Sequence, residues 1–220
     1  MGCRRTFGDK DLRLIDPKIK EFALAMYAEG IAARKIERLL HVSHNAVLGW
    51  VRKEVQGKAL QAPAAKDLSV IEADEMWSYV GSKKQPIWLW WAIDRTSHQI
   101  VGFALGDRGT KTAKVLQPQL PTDKHIHYCT DAHRPYKAII KAEQHTVSKA
   151  HTHHIESLNN KLRWYLARLG RKTHAYSKSA TALLHSLLFV WQRKFGAVLK
   201  PQTGALLSKR LWDCDIQIPV

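Results

Sequence analysis

Negative charge, cysteine and long apolar runs are all in short supply in this chain, and each shortage removes a class of protein. Its 220 residues hold 19 Asp and Glu against 35 Lys and Arg, a formal charge of +16 at pH 7. A surface this poor in acids attracts polyanions, with an affinity that falls steeply as salt rises. The bland alternative is a generally basic surface with no specific ligand. Cysteine appears only at Cys3, Cys129 and Cys214, far apart and without a CxxC pair. That spacing argues against a disulfide framework or a complete zinc finger and fits a reducing cytosol. The longest apolar stretches, 86–93 and 183–191, fall well short of the ~20 residues a spanning helix needs. The expected polyanion is therefore nucleic acid and not a membrane. The opening MGCRRT matches a short myristoylation pattern, but that pattern is common by chance.

Against that background, residues 17–53 read as three short helices. Ile19, Phe22, Ala23 and Met26 recur at helical spacing, and Gly30 follows as a stop. Ile36, Leu39 and Leu40 mark one face of a second helix. Ser43 is a plausible N-cap for a third, with Val47, Trp50 and Val51 turned inward. The layout is that of a helix-turn-helix. Its third helix would present His44, Asn45, Leu48, Arg52 and Lys53 to base edges or phosphates. An ordinary three-helix bundle packed on the next domain is the competing reading. The expected organisation is a DNA-binding domain over 1–56, a Gln/Gly/Ala/Lys/Pro linker over 57–68, and a second domain over 69–220.

Beyond the linker the pattern changes to strands, at 68–81, 85–95 and 98–106, with a short turn at 95–98. The middle run is apolar on both faces, as a central strand covered on both sides must be. A helix at 110–120, a strand at 125–130, a helix at 134–142 and a short strand at 145–148 follow. Long helices are expected at about 152–169 and 179–195. Three antiparallel strands, then helix-separated strands, then helices is the order of a ribonuclease H-like α/β domain.

Three acids stand out on this scheme. Asp74 lies inside the first strand, Asp131 just after the fourth, and Glu156 near the start of a helix. Two carboxylates from strands and one from a helix can converge on a pair of Mg²⁺ ions, the arrangement that cuts and joins phosphodiester backbones. Asn159 and Arg163 follow Glu156 at offsets of three and seven, which keeps all three on one helix face. Taken alone, that helix also reads as amphipathic with a solvated polar face. Asp94 ends the second strand and reads as structural. His151, His153 and His154 read as phosphate-facing or solvent-exposed and not as a metal site.

The run IESLNNKLRWYLARLGRKTHAYSKS (155–179) resembles the C-terminal signature of insertion sequence 1 family transposases. DEMWSYVGSK (74–83) and TDAHRPY (130–136) resemble that family's first and second Asp motifs, and the 24 residues between Asp131 and Glu156 suit its spacing. The three-helix segment is similar to the family's N-terminal part, so the likeness covers nearly the whole chain. It implies a DDE transposase that binds its element's terminal inverted repeats and target DNA, acting as a homo-oligomer on DNA. Asp74, Asp131 and Glu156 would be catalytic and hold Mg²⁺, with Mn²⁺ able to substitute. Asn159 and Arg163 would position the helix or a DNA strand, and Arg171 and Lys172 would join the DNA-binding set. A bacterial cytoplasmic protein associated with the nucleoid is implied.

Two departures from the family pattern are visible. Ser157 stands where members usually carry Arg after the catalytic Glu. MGCRRTF resembles the end of the family's four-cysteine zinc finger, with Cys3 as its last ligand; one cysteine makes no tetrahedral site, so no complete zinc site is expected. Two other functions remain in competition. One is a non-catalytic helix-turn-helix regulator derived from a transposase, which would not need the three acids. The other is a ribonuclease H-like nuclease or resolvase, which would not need the helix-turn-helix.

Overall fold

The computed structural model describes residues 15–201; Cys3 and the finger-like opening lie outside them. Helix α1 (Pro17–Ala28) starts where Asp16 accepts a hydrogen bond from the Lys18 N–H at 2.8 Å, with Pro17 in the first turn. Helix α2 (Ala33–Leu40) ends on His41, whose φ of 54° turns the chain sharply. Helix α3 (His44–Val55) is capped by Ser43, as its sequence suggests. Val47, Val51 and Val55 recur every four residues and form the buried stripe of α3.

The stretch expected as a linker contains a strand. β1 (Lys58–Leu60) pairs antiparallel with β7 (Leu199–Pro201), closing a ribbon between distant parts of the chain. The sheet that follows is built from β2 (Val70–Val80), β3 (Ser82–Asp94), β4 (Ile100–Gly106), β5 (His127–Thr130) and β6 (His145–Val147). Its order is β4-β3-β2-β5-β6, antiparallel through β4, β3 and β2, and parallel through β2, β5 and β6. Trp90 and Trp91 on β3 point to opposite faces, and both are fully buried.

One face packs on α4 (Thr110–Leu116) and the segments around Tyr136. The other packs on α5 (His153–Tyr165) and α6 (Ala180–Lys194), where Trp91 stacks on Trp191 with centroids 5.8 Å apart. Residues 134–142, expected as a helix, form only a short 3-10 turn at Arg134–Ala138. After it the backbone leaves helical geometry at Ile139, with φ at −122°, and Tyr136 is buried instead of repeating an amphipathic stripe.

The three N-terminal helices share one apolar cluster with α5 and α6. Arg193 near the end of α6 donates to Glu21 on α1 and Glu54 on α3, and Lys194 pairs with Glu29. Gly30 has φ at +82°, and a side chain there would run into the Trp164 carbonyl. The α1–α2 turn can therefore sit directly on the end of α5.

Candidate active site

The site begins where two strands part. β5 runs parallel to β2 only along Val70–Glu72, so β2 continues past it alone on that side. Asp74 and Glu75 lie on this continuation, and Asp131 follows β5 directly. An opening at the carboxyl end of a parallel strand is the usual location of a site in an α/β sheet. One carboxylate oxygen each from Asp74, Glu75 and Asp131 lie within 4.8 Å of one another.

Asp74 is under electrostatic pressure. Burial, together with the charges of Glu75, Asp131 and Glu156, pushes its carboxyl up to about 7. Its Oδ2 accepts from the Asn159 amide at 2.6 Å, and Asn159 Oδ1 accepts from the Trp91 indole at 2.9 Å. The indole donates only, so it fixes which end of the amide faces Asp74. Glu156 projects from the first turn of α5, exposed, with Thr152 Oγ1 donating to it at 3.4 Å. It stands outside the tight cluster, near enough for its charge to act on Asp74.

Glu72 holds the start of α5 in place. Fully buried, it accepts from the Ile155 N–H at 3.0 Å, from Arg95 at 2.7 Å and from His154 at 2.7 Å. Burial opposes its ionisation, but those hydrogen bonds outweigh it and hold the carboxyl below its ordinary range. His154 thus departs from the exposed or phosphate-facing role that its sequence suggests, while His153 is exposed. Glu75 has a different set of partners. Arg108 donates twice to its Oε1, at 3.0 and 2.8 Å, and Tyr136 donates to Oε2 at 3.2 Å. Sequence reasoning passed over both glutamates; the one available signal was an acid inside an otherwise apolar strand.

The remaining expected residues divide into two groups. Arg163 donates to the carbonyls of Leu169 at 2.6 Å and Trp77 at 3.0 Å, tying the end of α5 to β2 instead of facing outward. His44 is half-buried against Glu37 on α2, at 2.9 Å. Asn45, Arg52, Lys53, Arg171 and Lys172 are exposed. Asp94 is buried at the end of β3 and accepts from the N–H and hydroxyl of Ser97, which closes the turn into β4.

A family model described as IS1 transposase matches residues 68–191. The chain belongs to the IS1 transposase family. Insertion element IS1 4 protein InsB of Escherichia coli (strain K12) is 37% identical over 117 residues, which cover 53% of this chain and 70% of that relative. Insertion element IS1 protein InsB of Shigella flexneri is 39% identical over 108 residues, covering 49% of this chain and 82% of the relative. Asp74, Asp131 and Glu156 all fall inside the stretch matched to the IS1 transposase family, and α1–α3 precede it.

The acidic cluster of this IS1-family chain also fits a divalent cation. Hard carboxylate oxygens suit Mg²⁺ or Mn²⁺. The raised carboxyl of Asp74 marks mutual repulsion that a cation would relieve. No helix among the described residues is long and apolar enough to cross a membrane.

Proposed function

We propose that the chain is a DDE transposase that cuts and joins DNA at the ends of its element, with Asp74, Asp131 and Glu156 as its catalytic acids. The observation that carries this reading is Asp74: a carboxyl driven to about 7 by burial and neighbouring acids, in a chain of the IS1 transposase family. A regulator that only binds DNA would gain nothing from acids that repel one another at such close range.

Asp74, Asp131 and Glu156 would hold divalent ions, Mg²⁺ with Mn²⁺ as a substitute, and Glu75 borders the same opening from its ion pair with Arg108. When bound, such ions supply activation of water or a 3′-hydroxyl and stabilisation of the leaving oxygen. The chain's own residues set the geometry. Asn159, oriented by Trp91, holds the Asp74 carboxyl in one rotamer. Glu72 and Arg163 fix the two ends of α5, and with them the position of Glu156. The five-stranded mixed sheet flanked by helices is compatible with a ribonuclease H-like domain.

The α1–α3 unit, a helix-turn-helix in this reading, binds the terminal inverted repeats. Asn45, Arg52 and Lys53 face the duplex, and Arg171 and Lys172 contact its backbone. The partners are the element's ends and target DNA, engaged by more than one copy of the chain. The deciding experiment incubates the full chain with duplexes carrying the element's ends in Mg²⁺. Asp74→Ala, Asp131→Ala and Glu156→Ala should each abolish cleavage and leave duplex binding intact; a variant that still cuts overturns the assignment.

A further inference from the structure

A cleft of about 240 Å³ lies between α3 and α6, well beyond the roughly 10–15 Å³ that one water needs on the same measure. Asn45 and Arg52 line it from α3, and His185 from α6, with Arg168 and Ser186 at the same wall. No acid is among its described lining residues.

Arg168 is the unusual member. It is 9% exposed and donates to hydroxyls, Tyr27 at 2.7 Å and Ser177 at 3.0 Å. Among the described residues no carboxylate lies within ion-pair distance of it. A buried cation without a counter-ion is costly to keep, and most proteins pair it. Tyr27 and Ser186 form a further hydrogen bond at 2.9 Å, and Ser186 also donates to the Ala182 carbonyl. These hydroxyls hold the guanidinium in place without neutralising it. Across the cleft, burial and then the charge of Arg52 hold the His185 imidazole below its usual range. Cationic groups from two separate elements thus crowd one concave space, and an anion there would relieve them all.

We propose that this cleft seats one backbone phosphodiester of bound DNA between α3 and α6, fixing the register of the duplex against the catalytic face. This rests on the reading of α3 as a DNA-contacting helix. Asn45 and Arg52 belong to both surfaces, so a strand lying along α3 reaches the cleft without a detour. Arg168 and Arg52 supply charge-assisted hydrogen bonds, and Asn45 and His185 complete the ring of donors.

The test uses the full chain and terminal-repeat duplexes in which a single neutral methylphosphonate is walked along each strand. At one position the wild type should lose roughly ten-fold in affinity. Arg52→Gln and His185→Gln, both at half-exposed or exposed positions, should lose affinity for the native duplex but nothing further at that position. Arg168→Lys, checked for a native melting temperature, should behave the same way. Variants that weaken binding equally at every position would overturn the proposal, since that is the signature of general surface charge. If the chain binds no duplex at any salt, the DNA reading of α3 fails, and the phosphodiester assignment fails with it. Inorganic phosphate alone, followed by the His185 ring signals in NMR, then separates the two failures. A response keeps the cleft as an anion site, and silence removes it.

Discussion

Glu72 and Asp74 stand two residues apart on β2 and face the same layer of helices, yet their carboxyls are shifted in opposite directions. Glu72 is surrounded by donors: a backbone N–H, a guanidinium and an imidazole. Asp74 accepts from the neutral Asn159 amide and the Glu75 backbone N–H, has no cationic partner, and lies near three acids. Both are withdrawn from water, so desolvation alone does not distinguish them. What separates them is whether the protein itself supplies the compensating charge. Where it does, the carboxylate acts as a structural bolt; where it withholds it, a cation supplies what is missing under the proposed function.

The sharpest way to break this contrast is to remove each group and read activity. Asp74→Ala should lower Mg²⁺-dependent cleavage on the order of 10³-fold or more, because the acids act as a unit. Glu72→Gln, which loosens the end of α5 that carries Glu156, should lower cleavage far less, by roughly ten-fold, and an osmolyte that restores folding should recover most of the loss. Equal, osmolyte-independent losses would erase the distinction.

Stability gives the next largest separation. Glu72→Gln removes the charge opposite Arg95 and turns an NH2 toward either the Ile155 N–H or the Arg95 and His154 donors, and should cost about 3 kcal/mol in a denaturant titration. The Glu72 carboxyl is lowered, so its contribution is present above the unfolded pKa, about 4.3, and is lost as pH falls through the folded value. Wild type should therefore show a steeper acid limb than the variant.

Asp74 works the other way. Its side chain ionises near 3.9 in an unfolded chain and at about 7 in the folded one. Between those values only the unfolded form has lost its proton, so stability falls as pH rises, and the penalty is complete above 7. In metal-free buffer at pH 8, Asp74→Asn should be more stable than wild type by on the order of 1–2 kcal/mol. Mg²⁺ should raise the wild-type melting temperature more at pH 8 than at pH 6, because binding competes with that proton. The shift should vanish with a chelator and in Asp74→Asn. Asp94→Ala should be the mildest change: it removes only the Ser97 contacts, for about 1 kcal/mol, with cleavage unchanged.

The sequence made the two contrasted groups unequally legible. Asp74 could be singled out because an acid inside a strand, a second after another strand and a third on a helix form a recognisable chemical pattern. Glu72 offered no such pattern, since its meaning lies in Arg95, His154 and Ile155, which only the fold brings to it. The strands of the sheet and the long helices α5 and α6 were readable from apolar periodicity. Residues 134–142 misled because Pro135 and a run of helix-compatible residues start a turn that tertiary burial of Tyr136 then stops. The β1–β7 pairing was invisible for a different reason: two three-residue strands whose central residues, Ala59 and Lys200, are 141 positions apart carry no local signal. Arg163 follows Glu156 by seven residues on α5, but periodicity could not show that carbonyls would take up its donors.

The shared core of α1–α3 with α6 has a consequence for how the chain is made. Tyr27 and Ser186, which meet in the native structure, are 159 residues apart. At ribosomal rates of 5–20 residues per second, the first helices emerge roughly 10–30 s before the helix that covers them. During that interval the apolar faces of Leu24 and Val51 have no α6 to pack on, so a nascent or prematurely ended chain exposes a sticky surface. Only a chain translated through α6 can close it, which makes completed synthesis itself a checkpoint on the three-helix unit.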